Sequence, residues 1–171
     1  PPPEPIEGDR LLLVAPFHRG LDPSADDPDT LRTALRGVLA HVDMIPRNDV
    51  DAAALARALE RGDVGWIWLR AARSRLSEFG GVLDTTAAAV VWTRPGADRT
   101  GPSLDAGSVF GPVHGLPLLV SVWTINDGSI SRLSGPLMDG IVAGQPIDVA
   151  LARAQRTAIG SRRPVDEWAV L

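Results

Sequence analysis

A polar segment suited to ligand binding interrupts the most apolar part of the chain. Asn126 and Asp127 come soon after Leu118–Trp123, LLVSVW, whose nearly continuous apolar character is typical of a parallel strand covered on both faces by helices. In an open α/β sheet, ligands bind in the crevice beyond the carboxyl ends of the strands. We therefore expect Asn126 and Asp127 to lie where a site would be. The alternative for Asp127 is to cap a helix opening near Ser129.

Arginine residues follow two further predicted strands. Arg70 and Arg73 lie in the segment RAARSR after Val64–Leu69, and Arg94 follows Ala87–Trp92. A guanidinium group binds a carboxylate or a phosphate bidentately, so these arginines could form a site for a small anion or a nucleotide. The alternative for RAARSR is a solvated helix start. Neither of the glycine-rich phosphate-binding patterns, G-x-x-x-x-G-K and G-x-G-x-x-G, occurs in the chain.

Nucleophilic catalysis has few candidate residues in this sequence. The absence of cysteine excludes a thiol nucleophile, thiolate metal sites and disulfides. Ser103 and Thr93 are hydroxyl candidates near the predicted site, but neither has a base beside it in the sequence. We interpret His41 as the end of the first helix, and His114 as a loop residue at the sheet edge opposite the site.

The elements that would position these residues alternate between strand and helix. Short apolar runs predict strands, and apolar residues spaced by three and four predict helices. This alternation predicts a three-layer α/β sandwich with a mostly parallel sheet and right-handed crossovers. Strands are predicted at 11–14, 64–69, 88–92 and 118–123, a weaker one within 42–50, and the beginning of a last, truncated one at 168–171. Helices are predicted from Asp29 or Thr30 to His41, from Asp51 to Arg61, from Ser129 to Gly144 and after Pro146, and 79–83 is predicted to be a connection.

Length and charge narrow the classes of partner. A chain of 171 residues with net charge −4 is one domain by size, and it has no basic run of the kind that nucleic acid requires. No apolar stretch approaches the length of a membrane span. All 17 basic residues are arginine, which is typical of a GC-rich, bacterial genome. We interpret residues 1–9, PPPEPIEGD, as a proline-rich linker to the rest of a longer, cytoplasmic protein, and 10–171 as the domain.

The carboxyl half resembles a known family. The segment VSVWTINDGSISRLSGPLMDGIVAGQPIDVALARAQR, followed by DEWAVL, is similar to the CHAT domain, a caspase-like fold related to separase. In that family a strand ends in Leu-Trp-Pro-Val-Asp-Asp or a close variant. A helix, a Gly-Lys-x-x-x-x-Ala-Leu-x-x-Ala-Gln segment and a Trp-Ala strand follow. The matching positions here are Trp123, Asp127, Gly144, Ala150, Leu151, Ala154, Gln155, Trp168 and Ala169.

The same resemblance implies that the catalytic residues are missing. CHAT peptidases use a histidine after the third strand and a cysteine after the fourth, the thiolate attacking while the imidazole handles the proton. In this chain those two places hold Arg70 and Pro95. We therefore expect no thiol peptidase activity.

The resemblance then favours an interaction module over an enzyme. It implies that Asp127 occupies the place of an acid that lines a pocket for a basic side chain in separase-like relatives, with Asn126, Arg70 and Arg94 nearby. We expect a pseudopeptidase that binds a protein or peptide in signalling, beside helical-repeat domains, with no metal and no cofactor. A hydrolase with a non-cysteine nucleophile, and a domain that binds a small anion or nucleotide, are the alternatives.

Overall fold

The computed structural model describes residues 10–15, 28–71, 73–83, 88–95, 118–125 and 127–162. Within these residues, five strands form one sheet in which every pairing is parallel. The strands are β1 (Arg10–Val14), β2 (His41–Met44), β3 (Val64–Arg70), β4 (Ala89–Pro95) and β5 (Leu118–Ile125).

Helices occupy most of the remaining described residues. They are α1 (Pro28–Arg36), α2 (Ala52–Leu59), α3 (Arg73–Leu83), α4 (Asp127–Val142) and α5 (Ile147–Gly160), with a short 3-10 turn at Arg47–Asp49. Among them, none combines the length and the apolar character needed to cross a membrane.

The strand order is β2-β1-β3-β4-β5, so the chain reverses its direction across the sheet once. From β1 it moves outward to β2, and it then returns past β1 to β3 and continues to β4. The first of these connections uses α1 on one face, whereas the two return connections use α2 and α3 on the other. The outward connection and the two return connections run in opposite directions and lie on opposite faces of the sheet. All three therefore have the same handedness, as expected of parallel β-α-β units.

Two separate apolar cores confirm the three-layer prediction. On one face, here called the α1 face, α1, α4 and α5 pack against the sheet; on the other, the α2 face, α2 and α3 do so. Alternation along each strand divides the side chains, since Trp66 and Trp68 point to the α1 face and Ile67 and Leu69 to the α2 face. The sheet is therefore covered on both faces, which explains why its strands are apolar throughout.

Several predicted boundaries were wrong. His41 begins β2 instead of ending α1, which stops at Arg36 and begins at Pro28. Residues 79–83, predicted to be a connection, are the last residues of α3, because the buried side chains of Phe79 and Leu83 pack on the sheet in spite of the glycines between them. The proposed linker 1–9 and the last strand at 168–171 lie outside the described residues.

Local signals for the ends of helices were more reliable. Asp51 caps α2 as predicted, its Oδ1 accepting a hydrogen bond of 2.6 Å from the backbone N–H of Ala54. Gly144 follows α4 with φ of 77°, a backbone conformation that glycine adopts at little cost. Gly62 and Asp63 make the turn into β3 with φ of 75° and 62°.

Helices α4 and α5 approach each other closely at Gly140. A Cβ atom added there would lie 2.8 Å from the Cβ of Ala150 and 3.2 Å from its Cα. Ala150, Ala154 and Ala158 form the buried stripe of α5, so small residues on both helices permit this approach. By contrast, a Cβ atom at Gly81 in α3 would meet nothing within 4 Å.

We expect Gly140→Ala to destabilise the protein and Gly81→Ala to stabilise it. The first substitution forces the helices apart and should lower the free energy of unfolding by about 1–3 kcal/mol. The second only replaces the poorest non-proline helix former and should raise it by about 0.5–1 kcal/mol. Urea denaturation of both variants beside the wild type measures the difference; equal effects at the two positions would contradict the close approach of α4 and α5.

Candidate functional site

The carboxyl edge of the sheet contains the point at which the chain reverses its direction. The connection after β1 leads away from β3, and the connection after β3 leads away from β1, so the carboxyl ends of these neighbouring strands diverge. Crevices at such points are the usual ligand sites of open α/β sheets. The residues there are Val14 and Arg70, the last residues of β1 and β3, and Ala15 and Ala71, which follow them.

Arg70 is the unusual residue at this edge. It is the last residue of β3 and only 1% of its surface is exposed. By alternation along β3 it lies on the α1 face, two residues beyond Trp68. Burying a guanidinium group costs several kcal/mol unless its charge is balanced and its N–H groups are hydrogen-bonded. Arg70 accordingly has an interaction partner within the fold.

Two tryptophans fix the backbone and side chains around Arg70. The indole Nε1 of Trp68 donates a hydrogen bond of 3.1 Å to the Oγ1 of Thr93, which is in register with Arg70 on β4. On the α2 face, the Nε1 of Trp92 donates a bond of 2.9 Å to the carbonyl oxygen of Ala71. Both indoles are fully buried, so they anchor the ends of β3 and β4 from both faces of the sheet.

The described part of this edge lacks a nucleophile with a base. Thr93 is fully buried and its hydroxyl oxygen accepts the Trp68 hydrogen bond, so the structure does not favour Thr93 as an attacking group. Arg70 cannot act as a general base, because a guanidinium group stays protonated. His41, at the first residue of β2, lies at the opposite, amino edge. Nor do the described residues include a group of three His, Asp or Glu side chains that could hold a metal ion.

Only some of the other predicted site residues belong to the described structure. Asp127 is the first residue of α4, so the predicted start of that helix near Ser129 was wrong, and a residue within the helix is not its N-cap. An acid in the first turn still interacts favourably with the helix dipole. Arg94 and Pro95 end β4, although their side chains are outside the described part of the structure. Asn126, Ser103 and His114 lie outside it altogether.

Sequence reasoning missed the polar roles of Trp68 and Trp92, which were interpreted only as apolar strand residues. It also missed a groove between β2 and α2, here called the β2–α2 groove, which has a volume of about 230 Å³. Arg57, in the last turn of α2, and Arg61, in the turn that follows the helix, both line it. The available signal was their closeness in sequence at the end of a predicted helix.

We expect the Trp68–Thr93 hydrogen bond to couple the two strand ends energetically. Trp68→Phe leaves the hydroxyl of Thr93 buried without this donor, and Thr93→Val leaves the indole N–H without its acceptor, so each should destabilise the protein by at least about 1–3 kcal/mol. The double variant should lose less stability than the sum of the two single losses, by roughly 0.5–1.5 kcal/mol. The reason is that neither buried polar group then remains without its hydrogen-bond partner. Urea denaturation of all four proteins measures this coupling, and strict additivity would contradict it.

Comparisons with known proteins identify no relative of this chain. No model of a known protein family matches the chain, and neither a curated protein nor a solved structure shows significant similarity to it. The fold and the buried arginine therefore have to be interpreted from this chain's own residues.

Proposed function

We propose that this domain is a non-catalytic, CHAT-like pseudopeptidase module that binds a protein or peptide segment at the carboxyl edge of its sheet. It would act in interaction or signalling within a longer, cytoplasmic, multidomain protein, beside helical-repeat domains. The resemblance at Trp123 and Asp127 and in the segment from Gly144 to Gln155 supports the family. The parallel sheet covered by helices on both faces is compatible with it.

One observation supports the loss of catalysis most directly. Arg70 and Pro95, the residues at the two catalytic places of the family, are the last residues of the neighbouring strands β3 and β4. They therefore share one edge of the sheet, as a histidine and a cysteine would have to do in an active relative. Neither residue can attack a carbonyl group or transfer a proton at neutral pH, whereas an arginine can bind an anionic group.

A second candidate function is the binding of a small anion, because Arg70 and Arg94 lie at the ends of neighbouring strands on the carboxyl edge. A guanidinium group binds a carboxylate or a phosphate bidentately. The two functions differ in their ligands. If the site serves a small anion, phosphate or citrate should raise the melting temperature of the wild type, because a ligand of the native state alone stabilises it.

We expect a cysteine introduced at position 95 to become reactive when a histidine is introduced at position 70. The chain has no cysteine of its own, so Pro95→Cys supplies a single thiol. An imidazolium beside that thiol should lower its pKa by about one unit or more. A neutral side chain at position 70 is the reference, because Arg70 is itself a cation that would lower the thiol pKa. The pH dependence of iodoacetamide alkylation, compared between Pro95→Cys with Arg70→Gln and Pro95→Cys with Arg70→His, measures this shift.

A matched control places the new histidine elsewhere. Arg57→His on α2, added to Pro95→Cys with Arg70→Gln, should leave the thiol pKa unchanged. The shift should therefore appear only with the histidine at position 70, and circular dichroism checks that each variant is folded. If the thiol titrates identically in all folded variants, positions 70 and 95 are not a catalytic pair and the family assignment fails.

The wild type should show no peptidase turnover. Turnover that is lost on Ser103→Ala would favour the hydrolase alternative.

We expect Asp127 to contribute to binding through its charge. A peptide with a central arginine should bind the wild type more tightly than the same peptide with glutamine there, because a carboxylate forms charge-assisted hydrogen bonds with a guanidinium group. Asp127→Asn should weaken that binding roughly tenfold or more. Asp139→Asn, at an exposed residue of the same helix, is the control. Isothermal titration calorimetry compares them, and equal affinities for wild type and Asp127→Asn would remove Asp127 from the site.

A further inference from the structure

The β2–α2 groove lies along one lateral edge of the sheet, away from the proposed binding edge at the ends of β3 and β4. It is open because α2 presents small residues to it: Ala54 and Ala58, one turn apart, both line it. Larger side chains at these positions would fill the space that has a volume of about 230 Å³. Its remaining apolar lining comes from the strands and the segment after β2, namely Leu12, Met44, Ile45, Pro46 and Val64.

Charged groups also line the groove. Arg10, Arg57 and Arg61 contribute guanidinium groups, and Asp43 and Asp49 contribute carboxylates. Because α2 runs antiparallel to the strands that it connects, Asp49 lies at one end of the groove and Arg61 at the other, where β1 and β3 begin. The positive charge is therefore concentrated at the amino end of the strands.

The charge of Arg10 is already balanced within the fold. Its Nε lies 3.6 Å from Asp43 Oδ2, and its Nη1 lies 3.4 Å from Asp63 Oδ1. Arg57 and Arg61 differ, since neither forms a salt bridge with any residue in the described ranges. Both are exposed and line the same groove, so they can converge on one anionic group.

We propose that the β2–α2 groove binds a small organic carboxylate, with its hydrocarbon body on the apolar lining and its carboxylate on Arg57 and Arg61. The apolar lining favours such a ligand over inorganic phosphate, which has no apolar part. Asp43 and Asp49 disfavour multiply charged anions, because a like charge nearby raises the free energy of the complex. The groove is smaller than the usual pocket for a drug-sized molecule, roughly 300 Å³ or more, which suits a ligand the size of a single amino-acid side chain.

The position of the two arginines near the end of α2 has a second physical effect. Cations in the last turn of a helix interact favourably with its carbonyl terminus, and Arg57 lies in the last turn of α2. That effect alters stability and requires no ligand. A binding measurement therefore separates the two roles, provided that stability is followed in the same variants.

Titration of the full 171-residue chain with isocaproate, followed by amide chemical shifts in NMR spectra, tests the proposal. Shifts should concentrate at residues 43–46 and 54–61. Isocaproamide, which has the same body without the charge, and inorganic phosphate should each cause no saturable shifts there. Joint replacement of Arg57→Gln and Arg61→Gln should weaken isocaproate binding at least tenfold.

Two further variants keep the test decisive. Ala58→Leu fills the groove without changing charge and should also abolish binding, while its melting temperature shows that it is folded. Arg153→Gln with Arg156→Gln removes two exposed arginines of α5 and should leave binding unchanged. The proposal is overturned if isocaproate causes no saturable shifts in the wild type, if the amide or phosphate binds as well, or if the Arg57/Arg61 double variant still binds. These outcomes leave the proposed function at the carboxyl edge untouched.

Discussion

Coverage of the parallel sheet on both faces is the constraint on which the rest of this structure depends. The core residues of β1, β3 and β4 are buried, and their side chains alternate between two apolar cores. Polar groups inside such a sheet would lose their hydration without gaining partners, at a cost of a few kcal/mol each. In the described residues, polar and charged groups of the sheet therefore lie at the ends of strands and at the lateral edge.

The carboxyl edge shows how polar groups are accommodated where the strands end. Trp68 and Trp92 bury large rings in opposite cores and use their indole N–H groups to satisfy Thr93 and Ala71 at the ends of β4 and β3. Arg70 is held in this rigid frame as a buried cation. Arg70 and Thr93, which are in register on neighbouring strands, are thus both accommodated in a buried position at this edge.

At the lateral edge, salt bridges and small side chains determine the charge and the size of the β2–α2 groove. Arg10, at the start of β1, forms salt bridges with Asp43 on β2 and with Asp63 before β3, and so it links three neighbouring strands. Exposed ion pairs of this kind contribute little stability, typically below about 1 kcal/mol. Their effect here is to neutralise Arg10, so that Arg57 and Arg61 provide the positive charge of the β2–α2 groove. The small side chains of α2 leave room beside that charge.

The sequence by itself determined the parallel α/β architecture and the positions of β1, β3, β4 and β5, because short apolar runs of strand length need helices on both faces. It also determined the capping of α2 by Asp51, since a cap involves only neighbouring residues. Tertiary structure decided that 79–83 is helical, because burial of Phe79 and Leu83 outweighs the low helix propensity of glycine. It also decided the burial of Arg70, the hydrogen bonds of Trp68 and Trp92, and the groove beside α2. Each of these brings together residues from separate elements, and local sequence patterns carry no information about how such elements pack.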